Sequence, residues 1–214
     1  MIVSQAQQRS DAWYALRRGL PTASRFDAIL TPSTGKPSKG QDKLIDELIA
    51  ESIQPPEQGF IRHYISPEME QGMKLEGEAR CSFELEYAKG QPVTEVGFVM
   101  HDSGLFGGSP DALVGDDSGL EMKCPNLSTH IGYVRAGVLP SEYKAQCHGS
   151  MIVTGRNSWH FFSYARGALP FHLLIERDDF TAKLEEELHN FAKRYNEARA
   201  LFELPPIGTT NQTQ

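Results

Sequence analysis

The sequence predicts a single domain of the α/β or α+β class, in which helices flank a central mixed β-sheet. Apolar residues recur at three- and four-residue steps through most of the first ninety residues, which is typical of amphipathic helices. Short apolar runs separated by Asp-Ser-Gly turns follow, which is typical of strands. The length of 214 residues, with 39% hydrophobic and 23% charged residues, fits one globular domain.

The first half of the chain is predicted to be helical. Ser10 or Asp11 is a suitable N-cap for a short helix, and Pro21 is typical of the first turn of a second one. Residues 31–40 have the composition of a loop. The predicted helices span residues 10–18, 21–30, 44–49 and 66–89.

The second half alternates strands with helices from Gly90 onward. Its last helix has a long apolar face and is stopped by Pro205 and Pro206. The domain is therefore expected to span residues 1–204, and residues 205–214 are expected to form a disordered tail. The predicted strands are residues 93–100, 105–107, 112–114, 120–124, 158–164 and 171–175, and the predicted helices are residues 141–153 and 178–204.

The composition argues against several classes of protein. No stretch reaches the roughly 18 apolar residues of a transmembrane helix, so no membrane association is expected. Residues 1–8 are polar and predict no signal peptide. The three cysteines include no Cys-x-x-Cys pair and predict no disulfide framework. These features together favour a reducing cytoplasm.

The distribution of charge matters more than its total. The net charge of −7 at first counts against a nucleic-acid partner, because phosphates are bound by Lys and Arg. The first 43 residues nevertheless form a basic segment that is joined to an acidic body, which makes a DNA partner plausible. The basic residues of this segment are Arg9, Arg17, Arg18, Arg25, Lys36, Lys39 and Lys43, and its acidic residues are Asp11, Asp27 and Asp42.

Three charged residues form the most informative pattern. Asp111 is followed, after nine residues, by Glu121 and then Lys123. Glu121 and Lys123 are two residues apart on a predicted strand, so their side chains share a face. The turn composition of residues 115–119 predicts a hairpin that brings Asp111 beside Glu121. Two carboxylates and a lysine are therefore expected in one small patch.

This patch has the chemistry of phosphodiester hydrolysis. Two neighbouring carboxylates repel each other unless a cation neutralises them, and oxygen ligands suit Mg²⁺ or Mn²⁺. The lysine can hold a water molecule and offset charge on a phosphate. The alternative is a surface hairpin in which Lys123 pairs with Glu121. The apolar neighbours Leu120 and Met122 disfavour it, because charge is costly on an apolar strand.

At this point the chain resembles the PD-(D/E)XK nuclease superfamily and, within it, the phage lambda exonuclease and YqaJ-type viral recombinase family. Pro110-Asp111, Glu121 and Lys123 match the superfamily signature. The resemblance extends from about residue 10 to residue 195 and implies a restriction-endonuclease-like core. Six motifs occur in the order found in the family, at residues 11–17, 22–24, 72–80, 109–111, 120–125 and 145–146.

The resemblance implies a catalytic centre that binds Mg²⁺, with Mn²⁺ as a substitute. Lys123 would lie near the nucleophilic water, and Gln146 would help to position the water or the lysine. The implied metal ligands are the carboxylates of Glu76, Asp111 and Glu121 and the backbone carbonyl of Met122.

The resemblance also implies a pocket for a terminal 5′-phosphate. A guanidinium can bind phosphate through two hydrogen bonds, and helix starts favour anions. Arg18 lies next to Arg17, which leaves open which arginine binds the phosphate. Met69 falls where the family has an apolar wedge at the duplex end, although the position suits a core methionine equally well. The implied pocket and DNA-binding residues are Trp13, Arg17, Ser24, Ser109, Arg18 and Met69.

The implied function is a metal-dependent 5′-to-3′ exonuclease that releases 5′-mononucleotides from one strand of linear double-stranded DNA. Members of the family act as ring-shaped homotrimers, prefer 5′-phosphorylated ends, and leave 3′ overhangs for a single-strand annealing protein. The implied setting is the cytoplasm of a bacterial host of a phage or prophage. Two alternatives are an endonuclease on the same fold and a non-catalytic DNA-end-binding protein, for which the cluster of acidic residues would have no use.

Overall fold

The computed structural model describes residues 1–55, 59 and 67–208, and of residues 67–69 only the backbone. In this part of the chain, no helix combines the length and apolar character needed to cross a membrane. The helices are α1 (Asp11–Arg17), α2 (Gln41–Ile53), α3 (Pro67–Glu86), α4 (Leu127–Ala136), α5 (Ser141–Thr154) and α6 (Asp179–Ala200), with a 3₁₀ helix at Ala23–Ala28. The strands are β1 (Ile2–Ser4), β2 (Leu30–Thr31), β3 (Lys36–Pro37), β4 (Val93–Thr94), β5 (Phe98–Met100), β6 (Gly107–Gly108), β7 (Ala112–Val114), β8 (Ser118–Lys123), β9 (Ser158–Ser163) and β10 (Phe171–Glu176).

A five-stranded mixed sheet is the centre of the fold. Its strand order is β10-β9-β8-β7-β4, and only β8 and β9 run parallel to each other. Parallel neighbours need a crossover connection, which α4 and α5 provide. A three-stranded sheet, β1-β5-β6, and the short β2–β3 hairpin complete the strands. The predicted single α/β domain with a mixed central sheet is confirmed.

Apolar side chains cover both faces of the sheet. On one face, α2, α5, α6 and the 3₁₀ helix enclose the larger core around Trp159 and Phe161. On the other face, Phe83 of α3 packs in a smaller core with Leu120 and Met122 of β8. Strand residues alternate between faces, so Glu121, between these two, points to the side of α5. The central strand therefore carries charge on one face and apolar packing on the other.

Two glycines allow close contacts beside β8. A Cβ atom at Gly119 would lie 2.2 Å from the Trp159 ring, so the ring packs directly on the strand backbone. A Cβ atom at Gly72 of α3 would lie 2.9 Å from the carbonyl oxygen of Cys124, just after β8. Gly72 therefore sets how closely α3 approaches the end of the central strand. Glu76 follows one helical turn later.

Most predicted elements are present within a few residues of their expected bounds. Ser10 caps α1 by accepting a hydrogen bond from the Trp13 amide. Asp178 forms a capping box with Thr181 at the start of α6. The predicted strand 112–114 and its hairpin partner are found as β7 and β8.

Some elements differ from the prediction. Residues 93–100 form two strands in different sheets, β4 and β5, because the chain leaves the central sheet between them. The predicted loop 31–40 includes β3 of a hairpin, and the predicted helix 21–30 is a 3₁₀ helix followed by β2. Neither β1 nor α4 was expected; Asn126 caps α4 by accepting from the Thr129 amide.

The first residues of the predicted tail contact the end of α6. The Arg199 guanidinium donates to the Pro205 carbonyl (2.7 Å), and the Asn196 side chain bonds both backbone groups of Ile207 (2.8 and 3.2 Å). Ile207 also packs against the larger core. These contacts hold residues 205–208 against α6, and residues 209–214 lie outside the described part of the chain.

Two glycines of α3 make a matched test of the packing between α3 and β8. Gly77 has open space around its missing side chain, so Gly77→Ala is expected to stabilise the fold by about 0.5–1 kcal/mol through helix propensity. Gly72→Ala gains the same propensity but pushes a methyl group against the Cys124 carbonyl. It is expected to destabilise the fold by about 1–2 kcal/mol. Urea unfolding of both variants measures the difference, and equal stabilisation by both would contradict the close approach.

Candidate active site

The β7–β8 hairpin brings Asp111 close to Glu121. Val114 pairs with Ser118 and Ala112 with Leu120, and one further step of this register reaches Asp111 and Glu121. Asp111 lies just before β7, and its amide donates to the Leu120 carbonyl at 3.1 Å, one residue out of this register. The hairpin thus brings the two carboxylates close enough for the Glu121 charge to act on Asp111, at the point where regular pairing ends.

The surroundings of the Asp111 carboxyl disfavour its charged form. Burial and then the nearby charge of Glu121 raise its pKa to about 7, although Lys123 and a hydrogen bond from the Met122 amide favour the charged form. That amide donates to Oδ2 of Asp111 at 2.6 Å. The local negative charge is therefore only partly compensated by the side chains around it.

Two donors converge on one oxygen of Glu121. Its side chain is 3% exposed, and its Oε1 accepts from Lys123 Nζ at 2.5 Å and from Gln146 Nε2 at 2.7 Å. Burial opposes the charged lysine, but Glu121 and Asp111 outweigh it and raise the Lys123 pKa. Lys123 Nζ also lies 4.9 Å from the centre of the Tyr143 ring. The structure thus brings Glu121, Lys123 and Gln146 together. The Lys123–Glu121 ion pair is the contact that the alternative of a surface hairpin also predicts, but Glu121 is buried rather than facing water.

A cleft of about 260 Å³ opens beside Asp111. Glu76 lines it, but its carboxylate accepts a hydrogen bond from Arg9 at 2.9 Å. Among the side chains that the structure describes, no group of three or more His, Cys, Asp and Glu is arranged to hold a metal ion. The carboxylates of Asp111 and Glu121 are hard oxygen donors of the kind that Mg²⁺ prefers. The lining residues are Gln5, Ala6, Gln7, Gln8, Arg9, Glu76, Arg80, Glu95, Val96, Gly97 and Asp111.

Arg17 gathers a cluster of hydroxyl groups. Its guanidinium donates to the side-chain oxygens of Ser109 (3.0 Å), Thr22 (3.1 Å) and Ser24 (3.2 Å). It also lies over the Trp13 ring, 4.3 Å from its centre. Burial lowers the Arg17 pKa to about 10, which still leaves it a cation at neutral pH. The side chains expected to form a phosphate pocket are thus together.

Arg17 and Arg18, between which the sequence left the choice open, have different hydrogen-bond partners. Arg18 donates to the backbone carbonyls of Glu51 (2.7 Å), Ser52 (3.3 Å) and Gln54 at the end of α2. It satisfies carbonyls that a helix end leaves unpaired. Arg18 is therefore occupied with α2, and only Arg17 contacts the pocket hydroxyls.

Several site residues were not singled out from the sequence. Thr22 belongs to a recognised motif, but its contact with Arg17 depends on the fold. Tyr143 precedes Gln146 by three residues on α5, a spacing that places both on one helix face. Arg9 lies in a segment without any motif signal. The side chain of Met69, expected as a wedge, lies outside the described residues.

A mixed sheet with a carboxylate–lysine patch and an adjacent arginine–hydroxyl pocket defines the class of protein, a PD-(D/E)XK-type nuclease fold. The chain belongs to the YqaJ-like viral recombinase domain family, whose model matches residues 12–157. This family membership agrees with the resemblance recognised from the motifs. Comparison with curated proteins finds no significant match.

Solved structures support the same assignment. An alkaline exonuclease (LHK-Exo) from Laribacter hongkongensis is 32% identical, with a TM-score of 0.77 over 91% of this chain and 96% of that chain. A structure of LHK-Exo in complex with dAMP matches equally well. A phage-related exonuclease from Haemophilus somnus 129PT is 13% identical, with a TM-score of 0.65 over 88% of this chain and 99% of that chain, and shows the shared fold.

The raised pKa of Asp111 predicts a pH-dependent stability. The unfolded carboxyl has a pKa of about 3.9 and the folded one about 7, so between these values the folded state binds more protons. Stability is therefore lost as pH rises through this window. Asp111→Asn is expected to remove that loss, and at pH 8 in EDTA to be more stable than the unmodified protein by on the order of 1–2 kcal/mol.

Thermal unfolding between pH 5 and 8 in EDTA measures this effect. Asp116→Asn is the matched control, because Asp116 lies exposed in the turn of the same hairpin. If Asp111→Asn and Asp116→Asn show the same pH dependence as the unmodified protein, the proposed unfavourable environment of the Asp111 carboxylate is absent.

Proposed function

We propose that this protein is a metal-dependent 5′-to-3′ exonuclease that acts on the ends of linear double-stranded DNA and releases 5′-mononucleotides. The product would be a 3′ single-stranded overhang for phage-type homologous recombination. The proposal rests on one observation above all. The carboxylate–lysine patch and the arginine–hydroxyl pocket share a single short stretch of chain.

That stretch is Ser109-Pro110-Asp111. Ser109 accepts a hydrogen bond from Arg17 in the pocket, and Asp111 lies close enough to Glu121 in the patch for their charges to interact. Two residues of chain span at most about 7 Å. A terminal phosphate held by Arg17 would thus bring a phosphodiester about one nucleotide away to the carboxylates. This spacing favours removal of one nucleotide at a time from a 5′-phosphorylated end.

The donor set fits Mg²⁺, with Mn²⁺ as a substitute. Asp111, Glu121 and the Met122 carbonyl would hold the ion, with Glu76 as a further carboxylate. When bound, the ion would supply a water of lowered pKa and neutralise charge on the phosphate. The raised pKa of Asp111 supports this assignment, since it marks negative charge that the surrounding side chains leave only partly compensated.

The protein side chains would orient the reaction. Lys123 is kept protonated by Glu121 and Asp111, so it serves as a donor, toward the attacking water or the phosphate oxygen, rather than as a base. Gln146 donates to Glu121 and fixes the carboxylate orientation. Arg17 and the hydroxyls of Ser24 and Ser109 would bind the terminal phosphate through charge-assisted hydrogen bonds.

The similar proteins support this choice of substrate. LHK-Exo is called an alkaline exonuclease, and its complex holds dAMP, a 5′-mononucleotide. From the family we further propose a homotrimeric ring, a single-strand annealing partner and a cytoplasmic location in a bacterial host. An endonuclease on the same fold is the alternative, and covalently closed circular DNA separates the two because only an endonuclease would cut it.

Matched DNA ends test the proposal. Linear duplexes with a 5′-phosphate or a 5′-hydroxyl, and a closed circle, are incubated in Mg²⁺ and in EDTA. We expect mononucleotide release in Mg²⁺ only, faster from 5′-phosphorylated ends, and no cleavage of the circle. Release from 3′ ends, or cutting of the circle, would contradict the proposed activity.

Two neighbouring arginines provide the matched variants. Arg17→Gln removes the guanidinium from the pocket and is expected to lower the rate on 5′-phosphorylated ends about 10- to 100-fold, toward the rate on 5′-hydroxyl ends. Arg18→Gln leaves carbonyls of α2 without their donor and is expected to lower stability while keeping the preference for phosphate. For each variant, the deciding quantity is the rate on 5′-phosphorylated ends divided by the rate on 5′-hydroxyl ends. Loss of the preference in Arg18→Gln rather than Arg17→Gln would contradict the pocket assignment.

A further inference from the structure

Arg9 has a backbone conformation that favours glycine. The Ser10 amide donates to the Gln7 carbonyl at 3.1 Å and closes a tight turn with Arg9 at its third position. The φ angle of Arg9 is +70°, in the left-handed region that costs free energy for a residue with a side chain. Strained positions of this kind cluster at functional sites. The side chain of Arg9 is therefore the feature to explain.

The turn is fixed on both sides. Gln8 Nε2 donates to the carbonyls of Val96 (3.1 Å) and Pro110 (3.0 Å), which ties the turn to the residue before Asp111. Ser10 on the other side caps α1. Arg9 thus extends from an anchored backbone into the cleft that Asp111 also lines.

In the cleft, the Arg9 guanidinium contacts Glu76. The two side chains are 2.9 Å apart and remain 47% and 37% exposed, so water and ions can reach the pair. A guanidinium on a carboxylate occupies an oxygen that a divalent cation would need. An exposed ion pair is weak, so replacing Arg9 by another cation at Glu76 costs little free energy.

We propose that Arg9 is a displaceable counter-ion of Glu76: this carboxylate exchanges Arg9 for a divalent cation, and the released guanidinium binds a phosphate of the DNA strand in the cleft. The inference rests on the proposed function, because it requires metal binding at Asp111 and Glu121. A guanidinium released beside a cation needs a new anion, and a phosphate offers two acceptor oxygens. Arg9 would thereby couple occupancy of the metal site to binding of DNA.

The first part of the proposal, exchange of Arg9 for a cation at Glu76, is tested by measuring metal affinity without DNA. Mn²⁺ binding is measured by electron paramagnetic resonance at low salt. Arg9→Gln is expected to bind Mn²⁺ about two- to fivefold more tightly, the range for release of an exposed ion pair, and Arg9→Lys is expected to stay close to the unmodified protein. Arg166→Gln is the matched control, because Arg166 forms an exposed ion pair with Glu78, which lies on α3 as Glu76 does. It is expected to leave Mn²⁺ affinity unchanged.

The second part, binding of the released Arg9 to a phosphate, is tested by measuring phosphate affinity. Binding of dAMP at saturating Mn²⁺ is expected to be about two- to fivefold weaker in Arg9→Gln and unchanged in Arg166→Gln. A purely structural role for Arg9 would not move the two affinities in opposite directions. Tighter Mn²⁺ binding with unchanged dAMP binding would overturn the transfer to phosphate.

The remaining outcomes separate this inference from the proposed function. If Asp111→Asn abolishes Mn²⁺ binding while Arg9→Gln binds like the unmodified protein, the counter-ion role of Arg9 is wrong and the metal site stands. If Asp111→Asn binds Mn²⁺ as well as the unmodified protein, the metal site proposed at Asp111 is wrong and the inference falls with it.

Discussion

The structure depends on one constraint: two carboxylates lie beside each other at the end of the β7–β8 hairpin, one of them buried and the other at the edge of a cleft. The β7–β8 hairpin brings Asp111, just before β7, close to Glu121 of β8, and Glu121 is buried where Gln146 of α5 contacts it. The two negative charges repel each other, so neighbouring groups must stabilise them with positive charge or hydrogen bonds. Lys123 and Gln146 donate to Glu121. At Asp111 the Lys123 charge and the Met122 amide favour the carboxylate, but burial and the Glu121 charge still raise its pKa.

The rest of the fold keeps that pair in place. Trp159 packs on Gly119, two residues before Glu121, and supports β8 on the face of α5. Gly72 lets α3 come close to the end of β8, so that Glu76 reaches the cleft beside Asp111. Close packing therefore holds the two carboxylates together although their charges repel each other. A carboxyl with a shifted pKa is typical of functional sites.

Local patterns in the sequence predicted much of the site, because strand and turn periodicity fix its geometry. The i, i+2 spacing of Glu121 and Lys123 and the turn at residues 115–119 were enough to place Asp111 beside Glu121. The roles of Arg17, Ser24 and Ser109 required the family resemblance, since they meet across distances of 7 and 92 residues. Arg9 and Thr22 could not be identified, because their contacts arise only when the N-terminal turn packs on the cleft. The helix α4 and the split between β4 and β5 were also missed, since capping by Asn126 and a change of sheet leave little trace in periodicity.

The most direct measurement of the central claim is the single-turnover rate of hydrolysis of a 5′-phosphorylated linear duplex by Lys123→Ala in Mg²⁺. Lys183→Ala serves as the control, because Lys183 is exposed on α6. The account predicts a rate at least about 10²-fold lower for Lys123→Ala, with unchanged affinity for the duplex end and a normal rate for Lys183→Ala. A fully active Lys123→Ala would contradict the claim that this carboxylate–lysine patch is the hydrolytic centre.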